Sequence, residues 1–229
     1  MKKFIYILLV TAFAAVSAAA QDNPFNVSDV PEIADKPDAF AQKGWKVEEV
    51  VKGDLNGDGK PDAAIKLAQI EAGREGGIGG DRALVIAFSE NGKWKRAATA
   101  TKLLQCVDCG GAFYGVMPAP AGVTIAKGVL VIENEHGSRN ISTSTLRFRL
   151  NAAKDRFILI GYDYVDHDRL SGEMVNESTN YSTNVRVSKT GKGKRISTKR
   201  FVIKPTLIYI EDADGDEIEG QALHRLGLD

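Results

Sequence analysis

Leu146-Arg147-Phe148-Arg149-Leu150, followed after a turn at 151–155 by Phe157-Ile158-Leu159-Ile160-Gly161-Tyr162, decides the fold. In the first run apolar and basic side chains alternate, the period of a strand with one face buried and one wet. The second run answers it as the other arm of a hairpin. Upstream, Ala83-Leu84-Val85-Ile86-Ala87-Phe88 is continuously apolar over a strand's length, as expected of a strand covered on both faces. Asn91-Gly92 follows, a strong signal for a tight hairpin because both turn positions take positive φ. Further strands are expected at 45–51, 63–67, 128–133, 183–188, 197–204 and 207–210. Spacings of about ten residues with few helical periods between them predict an all-β fold. The expected form is an antiparallel meander forming a sandwich or partial barrel, with a short N-terminal helix.

That helix is expected over Pro37–Lys43, with Pro37 at its first turn and Gly44 as its C-terminal cap. Residues 71–81 are Gly-rich, lack apolar period and read as a mobile loop. At the N-terminus, Lys2-Lys3, an apolar stretch from Phe4 to Ala15, and Ser17-Ala18-Ala19-Ala20 have the layout of a cleavable secretory signal. The expected organisation is therefore a signal peptide at 1–20, a lead-in at 21–44 and a single β-rich domain at 45–229. Localisation is periplasmic or secreted, and no transmembrane segment follows signal cleavage. Basic and acidic residues number 30 each; cleavage removes Lys2 and Lys3, leaving 28 against 30. Such a balance gives no global drive toward nucleic acid, so any electrostatic partner must meet a local patch.

Gly53-Asp54-Leu55-Asn56-Gly57-Asp58-Gly59-Lys60-Pro61-Asp62 places oxygen-bearing side chains at alternate positions of a tight loop. Asp54, Asn56, Asp58 and Asp62, with the Lys60 carbonyl, make the oxygen set a calcium ion needs, and Gly59 permits the reversal. Ile65 stands where an EF-hand would place its bidentate Glu, and both flanks look like strands rather than helices. Over 53–65 the chain resembles exported bacterial proteins carrying a single calcium loop of the FG-GAP or VCBS type. Gly110-Gly111 with Phe113, and Gly191-Lys192-Gly193-Lys194, are similar to single-loop exported proteins of unassigned activity. The resemblance implies Ca2+ bound between two strands in a structural role. Propellers of this class repeat the loop, whereas here it occurs once, so neither the bladed fold nor an adhesion role is implied. A second acidic run, Asp212-Ala213-Asp214-Gly215-Asp216, puts its Gly one position early and reads chiefly as solvated charge.

Cys106-Val107-Asp108-Cys109 has redox spacing, but Gly110-Gly111 opposes the helix that would lower a thiol pKa. A local Cys106–Cys109 disulfide pinning a turn is the expectation in an oxidising compartment. His136, His167 and His224 are not at zinc-ligand spacing. Asp163, Asp166, His167 and Asp168 crowd one segment, yet on a strand His167 points away from Asp166 and Asp168. No nucleophile elbow, HExxH pair, phosphate loop or dinucleotide fingerprint is present. Eight basic and no acidic residues fall between Arg186 and Lys204, with Gly191 and Gly193 suggesting a hairpin tip. Lys192, Lys194, Arg195, Lys199 and Arg200 are the candidate patch for a polyanion or envelope component. The functional expectation is an exported, calcium-stabilised, non-enzymatic binding or interaction module. The alternative is an exported hydrolase or envelope-processing enzyme whose carboxylates meet only in three dimensions.

Overall fold

The computed structural model describes residues 23–71, 75–151 and 155–228, so the signal segment at 1–20 lies outside the described residues. Twelve strands run β1 (Ile33–Ala34), β2 (Trp45–Gly53), β3 (Asp62–Ile70), β4 (Ile78–Glu90), β5 (Lys93–Ala100), β6 (Ala121–Ala126), β7 (Val129–Gly137), β8 (Asn140–Asn151), β9 (Arg156–Asp168), β10 (Glu173–Asn180), β11 (Val185–Lys192) and β12 (Arg195–Val202). Among the described residues one α-helix, α1 (Gly215–Leu226), follows them. The strands form two antiparallel sheets, one ordered β1-β5-β4-β3-β2 and one running without crossover from β6 to β12. The two are packed as a sandwich, and neither closes into a barrel.

The principal core lies between the sheets. It joins Leu55 of the β2–β3 loop and Ala64, Leu84 and Ile86 of the first to Val123, Leu130, Ile132, Leu146, Phe148, Phe157 and Tyr162 of the second. Ile218 and Ala222 of α1 belong to the same cluster. On the other face of the five-stranded sheet, Ala63, Ile65, Leu67, Ala83, Val85 and Ala87 pack against Val30, Ala34, Phe40 and Trp45. The polar lead-in therefore covers a sheet face, which explains why the run at 83–88 needs no polar side. The sheets meet closely at Gly53, where an added Cβ would stand 2.5 Å from Ile125 Cγ2.

Local chemistry accounts for the turns. Asn91 (φ 51°) and Gly92 (φ 77°) close the β4–β5 hairpin as their sequence predicts. The expected two-turn helix at 37–43 is a single 3-10 turn, Pro37–Phe40, because Phe40 is wholly buried and the chain leaves extended from Ala41 toward β2. Of the expected loop at 71–81, residues 72–74 lie outside the described residues, and β4 already begins at Ile78. The expected strand at 207–210 reduces to one bridge, Ile158 to Tyr209, with Leu159 and Ile210 N–H bonds on either side. It occupies the stretch of β9 that β10 leaves free, then the chain turns into α1.

The helix gives the second acidic run a capping role, while Asp212 and Asp216 are exposed as expected of solvated charge. Asp214 is its N-cap, accepting from the Glu217 N–H at 3.2 Å, and Asp216 and Glu217 sit in the first turn. Acids there face the positive end of the helix dipole. Gly227, left-handed at φ 69°, ends it.

Candidate functional site

The loop between β2 and β3 is a hairpin connection, since Gly53 and Asp62 are paired across the two strands. Its Asp and Asn side chains organise backbone. Asp54 accepts from Gly57 N at 2.6 Å and Gly59 N at 3.0 Å. Asn56 accepts from Asp58 N, and Asp58 from Lys60 N, both at 2.8 Å. Gly57 and Gly59 supply positive φ of 84° and 79°. Asp62 is fully buried and accepts from Leu55, Asn56 and Ser89 N–H groups at 2.8, 3.2 and 3.1 Å. Burial raises its pKa, while the three backbone donors pull the other way. Among the described residues no three His, Cys, Asp or Glu side chains converge as a metal-holding group. In donor chemistry the loop still fits a hard cation, because an oxygen accepting one N–H keeps a second lone pair. Asp62 is the donor most committed elsewhere.

A cavity of about 660 Å³ opens between α1, the segment joining β5 to β6, and the inner face of the seven-stranded sheet. Lys102, His136, Ser144, Asp214 and Glu219 are among its lining residues, with both cysteines at one wall. Cys106 and Cys109 are joined, their Cα atoms 5.2 Å apart. His136 Nε2 lies 2.7 Å from Glu219 Oε1, and Lys102 Nζ donates to Asp214 at 3.0 Å. Behind the wall, Tyr164 donates to Ser142 Oγ at 3.1 Å, and Ser142 donates to Asp166 at 2.9 Å. Asp166 is buried and His167 exposed, the alternation expected of a strand. Burial lifts the Tyr164 phenol to about 12.

Antiparallel register brings these groups together. His136 pairs with Ser142 across β7 and β8, and Ser142 with Asp166 across β8 and β9. Sequence spacing carried no sign of that row, nor of Glu219, which arrives 83 residues later on α1. The Glu219 hydrogen bond raises the His136 pKa, opposed by burial and helped by Asp216 and Asp166. A raised histidine contributes stability fully below its unfolded value and loses it as pH climbs through the folded one. The melting-temperature gap between wild type and His136→Asn should therefore be widest near pH 6 and shrink toward pH 9. A gap independent of pH would show that the pair is neutral.

The disulfide closes a very short loop, so it should stabilise by less than the roughly 3 kcal/mol expected for a 15-residue loop. Replacing Cys106 and Cys109 by Ser should lower the melting temperature slightly and leave the circular dichroism spectrum unchanged. Unfolding of the double variant at room temperature would contradict this.

The basic ribbon is the β11–β12 hairpin, with its tip at Gly193. Lys192 pairs with Arg195 and Ser188 with Lys199, so Lys192, Arg195 and Lys199 share one face of the hairpin; Arg200 and Lys189 fall on the other. Lys194 lies in the turn, and all of β12 is exposed. The candidate patch is thus split between two faces.

No protein-family model, curated protein or solved structure matches this chain. Among the described residues no helix is long and apolar enough to cross a membrane.

Proposed function

We propose that the chain is an exported, calcium-stabilised, non-enzymatic binding module of the periplasm or envelope, and that its ligand enters the cleft beside α1. The cleft carries this reading: its volume of about 660 Å³ falls within the range of small-molecule sites. Its charged groups are held in pairs, His136 with Glu219 and Lys102 with Asp214. Groups so fixed present a preorganised pattern for recognition. Titrating isotope-labelled protein with soluble peptidoglycan fragments should move the amides of Gly215, Gly220 and His136 saturably. Lys102→Ala should weaken the effect, and the fragments should be recovered intact. Fragments recovered cleaved would favour the exported hydrolase, with the His136–Glu219 pair as its acid. Shifts absent from the cleft would sink both readings.

The stabilising ion in this proposal is Ca2+, held by Asp54, Asn56, Asp58 and Asp62 side-chain oxygens and the Lys60 carbonyl. Its chemistry is charge neutralisation: it would relieve repulsion among three carboxylates in one tight loop and so fix β2 against β3. A ligand bound only by the folded form stabilises it by RT ln(1 + [L]/Kd), about 1.4 kcal/mol at tenfold excess over Kd. For a chain of this size that raises the melting temperature by about 3–5 °C. Magnesium should act weakly, and Asp58→Ala should abolish the rise. A melting curve indifferent to calcium and to chelator would remove the ion from the proposal.

A further inference from the structure

The last turn of α1 lies against a second cavity of about 290 Å³, lined by Glu177, Arg186, Ser188, Lys199, Phe201 and Arg225 among others. Glu177 is at its base, with its side chain 2% exposed. Arg225 grips both Glu177 oxygens from Nε, at 3.1 and 3.2 Å. Arg186 Nε lies 3.4 Å from the same carboxylate and donates to Thr179 Oγ1 at 3.0 Å. One carboxylate thus faces two guanidiniums, and Lys199 of β12 lines the same cavity. The strand pairing sets this up, because Glu177 stands opposite Ser188, Ser188 opposite Lys199, and Arg186 opposite Phe201. Charge in the cavity does not balance: three cations meet one anion. Burial and the neighbouring Arg225 both depress the Arg186 pKa, as expected when positive charges are crowded away from water.

We propose that Arg186, Arg225 and Lys199 form a receptor for a phosphate group carried on a sugar ring. Guanidinium forks match the oxygens of a phosphate, and an ammonium adds a point charge. The hydroxyls of Ser188, Thr190 and Ser197 line the same cavity and offer both donors and acceptors to sugar hydroxyls. Phe201, 47% exposed, and Leu226 give the apolar wall on which a ring lies flat. This site is separate from the cleft, so its success or failure leaves that reading untouched. It differs from the hairpin tip too: of the basic ribbon, Arg186 and Lys199 line the cavity, while Lys192, Lys194, Arg195 and Arg200 are not among its lining residues.

Glucosamine 1-phosphate and inorganic phosphate, titrated separately into isotope-labelled protein, test the receptor. Both should shift the amides of Arg186, Ser188 and Lys199 saturably, with the sugar phosphate binding more tightly. Lys199→Ala, at an exposed position, and Arg186→Gln, checked for fold by circular dichroism, should each weaken binding by about tenfold or more. Vesicles containing lipid A supply the same chemistry on a membrane. Once sugar phosphate binding is established, competition by these vesicles assigns a lipid source and its absence a soluble one. Loss of saturable binding at millimolar ligand would overturn the proposal. So would shifts confined to Lys192, Lys194 and Arg195, or affinities unchanged in both variants.

Discussion

Arg82→Ala should lower the stability of the protein by about 3–5 kcal/mol, the cost typical of breaking a buried ion pair from one side. Arg82 is 3% exposed on the inner face of β4. Its Nε and Nη2 form a fork on Glu48 at 2.8 and 2.9 Å, while Nη1 donates to the Gln105 and Ala119 carbonyls at 2.9 and 3.0 Å. Lys66, 8% exposed, stands beside it, 3.7 Å from Glu48 and bonded to the Ala121 carbonyl at 2.9 Å. Truncating the guanidinium leaves Glu48 with one distant partner and takes the Arg82 donor away from the Gln105 and Ala119 carbonyls. At about 2–4 °C per kcal/mol for a chain of this size, the melting temperature should fall by about 10 °C. Arg82→Lys should recover only part, because an ammonium cannot make a fork and reach two carbonyls together. Gln105 and Ala119 belong to the segment that carries the disulfide and walls the cleft, so the same variant should loosen the cleft. A loss below about 1 kcal/mol would mean that water already solvates this cluster.

Neither Arg82 nor Lys66 could be read as buried from sequence. Lys66 interrupts an apolar run and Arg82 stands beside Asp81 at the start of one, and a basic residue in either place looks like an edge or a strand end. Their burial depends on Glu48 and on carbonyls of a segment far along the chain. Short-range signals fared differently. Asn91-Gly92, the alternation at 146–150 and the apolar run at 83–88 each follow from backbone geometry or from the pleat, and each is realised. The sandwich follows from them, while the count and order of the sheets need the register.

The missed helix was legible. Asp214-Gly215-Asp216-Glu217 offers an N-cap with an acid three residues later, and Ile218, Ala222, Leu223 and Leu226 repeat at helical spacing before Gly227. Its acids resemble a metal loop only when the apolar period behind them is ignored. The segment at 207–210 shows the opposite failure. Ile210 is fully buried and Ile208 packs against the core, but Leu207 is exposed and the edge available on β9 is short. As for the site, Asp166 stood out in sequence beside His167, the wrong histidine. Its neighbour is His136, brought across two strand pairings that no local spacing records.

Glu177→Ala should be as damaging as Arg82→Ala, by about 3–5 kcal/mol, for the mirror-image reason. There a cation is removed from a buried anion; here a buried anion is removed from two cations. Arg225 and Arg186 would face each other across the space the carboxylate filled, their repulsion little screened because both side chains are mostly covered, 28% and 18% exposed. Arg225 is the tie between the last turn of α1 and β10, so release should begin there. Hydrogen exchange should quicken first at the amides of 222–226, before the strands are affected. Glu177→Gln keeps the shape and one acceptor, and should cost less than Glu177→Ala. Phosphate gives a check on cause: an anion entering the vacated space restores the missing charge. It should therefore raise the melting temperature of Glu177→Ala more than that of the wild type, whereas sodium chloride at equal ionic strength should not. Equal effects of the two salts would show general screening, and a loss below about 1 kcal/mol would show that both guanidiniums turn outward into water.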